Sequence, residues 1–148
     1  MKLDADTSDV EGIGGTLAGN ALSLAAMKVT LEKVLTEEAY RHTIDLASQF
    51  MKGARQAIRD YQLPWTVQQL GCRAEYWFCS DPLVNGGEAD AAVDANLDRY
   101  MHLATLNRGI LMTPFHNMVL IAPTATQDDI EYHTRIFCEI VSALVIGG

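Results

Sequence analysis

Two arginines, one loop histidine and a glycine–threonine pair are the residues of this 148-residue chain best suited to chemistry. Arg73 and Arg108 each carry a planar guanidinium that grips a carboxylate through two parallel N–H donors; the alternative for each is a surface ion pair. His116 sits between Phe115 and Asn117, after Pro114. It either lines a pocket or is satisfied within its own loop. Gly14-Gly15-Thr16 precedes a helical pattern, so the Thr16 hydroxyl and nearby backbone N–H groups make either an anion site or a helix cap. Gly14 and Gly15 let the backbone approach a ligand closely, although linker glycines look the same. Trp77 and Phe78 fit a sheet core better than a cofactor platform.

Other chemistries find less support. His42, His102 and His133 lie in helical stretches without partners at metal-ligand spacing, and Cys72, Cys79 and Cys138 form no CxxC pair. No metal is expected, and the three thiols read as buried and reduced, as in a cytoplasmic protein. A formal charge of −8 argues against nucleic acid and against an anionic membrane surface. No apolar run approaches the roughly 18 residues of a membrane span. The first residues, Met1-Lys2-Leu3-Asp4-Ala5-Asp6, lack the apolar region of a signal peptide.

The elements that must position these residues follow from periodicity. Residues 1–15 hold few large apolar side chains and read as an arm or linker. From Leu17 to about Leu35 the apolar residues recur at helical steps, with Asn20 or Thr16 as N-cap. Thr36-Glu37-Glu38 opens a second helix whose stripe is Tyr40, Ile44, Ala47, Phe50, Met51, Ala54 and Ile58, ending before Pro64. Thr66–Leu70 and Ala74–Cys79 form one bent strand or two strands. A loop over 81–87 leads to a helix from about Glu88 to Leu106, with Ala92, Val93, Leu97, Tyr100, Met101 and Ala104 inward and Gly109 in a left-handed cap. Ile110–Met112 and Met118–Ile121 read as short strands, and Thr126 caps a last helix running to about Val145. With 49% apolar residues a core is available. The order predicts an α+β fold, a small antiparallel or mixed sheet with helices packed on one face.

Gly14-Gly15-Thr16-Leu17-Ala18-Gly19-Asn20-Ala21-Leu22-Ser23-Leu24-Ala25-Ala26 resembles the G-T-x-x-G-N-P-x-x-x-A-A segment that opens the small domain of class III, fold-type I aminotransferases, with Ala21 in place of the usual proline. Leu70-Gly71-Cys72-Arg73-Ala74-Glu75-Tyr76-Trp77-Phe78 is similar to the strand pair of that domain. Asn107-Arg108-Gly109-Ile110-Leu111-Met112-Thr113-Pro114 is similar to the family's R-G-[VI]-x-x-x-P turn, and Thr124-Ala125-Thr126-Gln127-Asp128-Asp129-Ile130 to its T-x-x-D-I helix start. These four motifs follow the family's order over about residues 13–146. The group includes glutamate-1-semialdehyde aminomutases, and Arg73–Phe78 with Thr113–Met118 lean toward its β-amino-acid transaminases.

The resemblance implies an arm over 1–15 and a C-terminal small domain over 16–148 of an enzyme that moves amino groups with pyridoxal phosphate. It implies that Gly15 and Thr16 meet the phosphate of cofactor held mainly by the other subunit of a dimer. It also implies that the lysine holding the cofactor lies upstream in a large domain. The four lysines present, Lys2, Lys28, Lys33 and Lys52, do not match it, so no residue is assigned as catalytic. The isolated chain is then expected to be inactive and to self-associate through the apolar face meant for the large domain. The other reading is a stand-alone, non-catalytic binding module built on the same fold.

Overall fold

The computed structural model describes residues 19–112 and 116–147. The chain divides into two units, residues 1–36 and 37–148.

In the first unit, Asn20 caps helix α1 (Ala21–Val29) by accepting the Ser23 N–H at 3.0 Å. At Thr30 the hydroxyl donates back to the Ala26 carbonyl at 2.9 Å, a bond that competes with regular helix geometry. The chain widens there into a π-helical stretch, Thr30–Val34, in which Leu35 N–H reaches the Thr30 carbonyl. The single helix expected to Leu35 is thus two segments. No residue of α1 is buried, so the apolar stripe read from the sequence is exposed, Leu22 at 80%.

The second unit begins with helix α2 (Glu37–Asp60), whose Glu37 and Glu38 suit the positive end of its dipole. Its buried residues are Thr43, Leu46, Ala47, Phe50, Ala54, Ala57 and Ile58, at three- and four-residue steps. Tyr40 and Ile44, expected inward, are exposed, because the buried face runs through Thr43 and Leu46 instead. The helix closes through Gln62, held in the left-handed region at φ 53°, and the Leu63 N–H bonds the Ile58 carbonyl.

Strands β1 (Thr66–Leu70) and β2 (Arg73–Trp77) form a hairpin across Gly71-Cys72, with Leu70 opposite Arg73 and Gly71 at φ 59°. Strand β3 (Met118–Leu120) adds antiparallel to β2, giving the order β1-β2-β3. Alternation sets the two faces. Val67, Ala74 and Tyr76 are buried on one, and the register places Thr66, Gln68, Leu70, Arg73, Glu75, Trp77, Met118 and Leu120 on the other. Helix α2 packs on the sheet, and α5 (Gln127–Ile146) packs on α2. The core aromatics knit these layers: Phe137 of α5 lies 5.2 Å from the Tyr76 ring, and Trp65 stacks on Tyr76 at 5.9 Å. This is the α+β arrangement read from the sequence.

Three further differences have local causes. The helix expected over Glu88–Leu106 is two, α3 (Gly86–Ala91) and α4 (Ala95–Leu106), because the Asp94 side chain caps a new start by accepting from Asn96 and Leu97. This leaves Val93 exposed. Ile110–Met112 is not a strand, since Ile110 N–H closes on the Thr105 carbonyl and Leu111 points to solvent. The three cysteines are free as expected, but half-buried rather than buried. The Thr126 cap is as expected and forms a reciprocal box with Asp129.

Candidate functional site

The sheet face turned away from the Val67–Ala74–Tyr76 core, bordered at Glu75 by α3 and the start of α4, carries a cluster of charged groups around Glu75. Glu75 stands in the middle of β2 with only 6% of its surface exposed. A carboxylate so withdrawn from water requires partners, and both of its oxygens have one. Arg73, two residues back on the same strand face, donates Nη2–H to Oε2 at 2.7 Å. His116 brings Nδ1 to 3.4 Å from Oε1.

The strand pairing brings His116 there. Glu75 lies opposite Met118, and the Tyr76 N–H donates to the Asn117 carbonyl at 3.2 Å. The segment entering β3 is therefore tied to β2 beside the carboxylate. Asn117 in turn donates through Nδ2 to the carboxylate of Asp98 in the first turn of α4. Burial pushes the Asp98 carboxyl above its ordinary value; the Asn117 bond opposes this, Asp94 adds to it, His116 opposes it and Glu75 adds to it.

Two cavities meet at Glu75. One, of about 260 Å³, is lined by Glu75, Trp77, Phe78, Asp98, His116 and Asn117 among others. The other is an open groove of about 730 Å³ that includes Arg55, Gln68, Gln69, Arg73 and Trp77. Arg73 is half exposed, so its remaining N–H donors can still meet a carboxylate.

The structure thus brings together two of the residues singled out in the sequence, Arg73 and His116, on a third that was not. Arg108 is elsewhere. Its Nη1 donates to the Ala104 carbonyl at 2.9 Å, and its Nε lies 3.8 Å from Glu139 of α5. Glu75, Asp98 and Asn117 were missed. The available signal was a lone acid in the otherwise apolar run Ala74–Phe78. Of the aromatic pair, Phe78 packs on the core, 4.8 Å from Trp65, and Trp77 lies on the open face. Gly15 and Thr16 lie outside the described residues.

Among the described residues no group of His, Cys, Asp and Glu could hold a metal ion, and no helix is long and apolar enough to cross a membrane. Lys28, Lys33 and Lys52 are all exposed on helical segments, and Lys52 lines neither cavity at Glu75.

No family model matches the chain. Similar proteins are nevertheless found among aminomutases and transaminases. Glutamate-1-semialdehyde 2,1-aminomutase 2 of Geobacillus thermodenitrificans is 33% identical over 119 residues, 80% of this chain and 27% of that protein. The crystal structure of a glutamate-1-semialdehyde-aminomutase from Pseudomonas aeruginosa PAO1 in complex with PMP superposes with a TM-score of 0.84 and 47% identity, over 90% of this chain and 29% of that one. This chain is similar to class III aminotransferases of the glutamate-1-semialdehyde aminomutase kind over about four fifths of its own length. Its fold is that of the aminotransferase C-terminal domain, and it spans less than a third of the length of the aminotransferase relatives it matches. The lean toward β-amino-acid enzymes gains nothing: the β-phenylalanine aminotransferase of Variovorax paradoxus is 20% identical with a TM-score of 0.69, over 95% of this chain and 32% of that one, a likeness of fold alone.

Proposed function

We propose that this chain is the C-terminal small domain of a pyridoxal-phosphate-dependent, cytoplasmic enzyme that moves an amino group between carbon centres of amino and keto acids. The observation that carries this is the 47% identity, at a TM-score of 0.84, with an aminomutase solved with PMP. When bound, the cofactor supplies the electron sink for breaking bonds at the amino-bearing carbon. The covalent lysine and most of the cofactor site belong to a large domain absent from this sequence, so the chain alone is inactive.

Four residues of this chain contribute to the complete site. Arg73 holds a substrate carboxylate through its free guanidinium donors, and His116 stands beside it as a second donor. Thr16, with Gly15 giving room to its backbone, donates to the cofactor phosphate across a dimer interface. Arg108, which meets Glu139 and the Ala104 carbonyl, is the other candidate for a substrate carboxylate. The large domain covers the open sheet face and the apolar residues of α1.

Reading the gene upstream of the Met1 codon tests this. An in-frame large domain carrying a lysine for the cofactor is expected, and the complete product should transfer amino groups. A stop codon that closes the frame, with no separately encoded partner, would leave the non-catalytic module as the better account.

A further inference from the structure

Between their exposed sides, helices α2 and α5 leave a groove of about 620 Å³ that shares no lining residue with either cavity at Glu75. Its floor is small and apolar. Ala57 and Ile130 are buried there, and Gly53 beside Thr134 lets the two helices close on each other. Its rim is cationic. Lys52, Arg59 and Arg135 line it against a single acid, Glu131, in a chain whose net charge is −8. Arg135 is paired with Glu139 at 2.9 Å, and Glu131 accepts from Gln127 at 2.6 Å. Lys52 and Arg59 make no ion pair among the described residues. Arg59 donates instead to the Gln56 side-chain oxygen at 2.7 Å. The two cations stand seven residues apart on α2, two turns or about 10 Å along the helix axis.

We propose that this groove docks an acidic helix of a partner protein. A helix laid along it sets apolar side chains on Ala57 and Ile130 and carboxylates, two turns apart, against Lys52 and Arg59. A rim of exposed side chains along two helices suits such a segment better than a small molecule, which needs a more enclosed pocket. The charge of the rim steers an acidic partner in and rejects a basic one. Docking here does not depend on the amino-transfer reading, because no residue of the groove belongs to the proposed site.

The probe is a peptide of about 20 residues, long enough to hold a helix, with a leucine stripe flanked by glutamates. Two counterparts carry glutamine or lysine in place of the glutamates. Fluorescence anisotropy with this chain should show the glutamate peptide binding roughly tenfold more tightly than either counterpart, and less tightly as salt rises. Amide ¹⁵N NMR should find the peptide-induced shifts centred on Gly53 and Thr134. Lys52→Glu combined with Arg59→Glu should weaken binding roughly tenfold, and the milder pair Lys52→Gln with Arg59→Gln by less. Lys33→Glu, outside the groove, should leave it unchanged. Equal binding of the glutamine peptide, an unaffected double variant, or shifts confined to other residues would overturn the docking site. A double variant that alters only the chain's own sedimentation would give the groove to a second copy and overturn the partner helix.

Discussion

A Cβ placed on Gly53 of α2 would lie 2.5 Å from the Thr134 hydroxyl oxygen of α5, so the two helices approach as closely as a glycine permits. The neighbouring atoms Cγ2 and Cβ of Thr134 are at 2.7 and 3.2 Å, and the threonine hydroxyl is itself tied to the Ile130 carbonyl. Glycine normally weakens a helix interior relative to alanine. Here the contact reverses that order. Gly53→Ala is expected to destabilise the domain by roughly 1–3 kcal/mol through overpacking. Urea unfolding checks it, and adding Thr134→Ala should recover much of the loss, a non-additivity that unrelated sites would not give.

His133 of α5 lies between aromatic rings, 4.6 Å from Phe50 and 6.0 Å from Phe137. Its Nε2 is buried without a hydrogen-bond partner. Burial lowers its pKa from 6.5 to about 4. Between those values the unfolded chain binds a proton that the folded domain does not, so stability is complete above pH 6.5 and falls as pH drops toward 4. The loss reaches about 3 kcal/mol at most. Chemical denaturation at pH 7 and pH 4.5 should show it, and His133→Leu should flatten this part of the profile.

The open sheet face carries Leu70, 82% exposed, and Leu120. Apolar surface of this kind on a small domain marks an interface. The isolated chain is expected to sediment as a dimer or larger species at high concentration. A monomer under those conditions would count against a missing covering domain.

Thr16 should matter only in the complete polypeptide. One hydrogen bond to a charged phosphate is worth about 1.5–3 kcal/mol. Thr16→Ala should therefore weaken cofactor retention at least tenfold, and Thr16→Ser should restore it. Equilibrium dialysis of the cofactor separates these outcomes from a folding defect.

Much of the fold was legible because its signals are local. The Thr126 cap and the Gly109 left-handed cap each follow from a few adjacent residues, whereas the residues around Gly71 left one bent strand or two strands open and the structure makes a hairpin. Where the reading failed, a competing local bond decided. The Asp94 side chain restarts a helix that periodicity alone would run through, and the Thr105 carbonyl captures the Ile110 N–H that a strand would need. The site was half legible. Arg73 and His116 stood out by type, whereas Glu75, the group that joins them, resembles any strand acid until Met118 pairs beside it and brings the histidine close.

The central claim, that this chain is one domain of a cofactor enzyme whose lysine lies elsewhere, is tested most directly by borohydride reduction. The chain and the complete polypeptide are each incubated with pyridoxal phosphate, reduced, and mapped by peptide mass. The account predicts one stoichiometric label in the complete polypeptide, on a lysine outside these 148 residues, and none in the isolated chain. Specific stoichiometric labelling of Lys2, Lys28, Lys33 or Lys52 would contradict it.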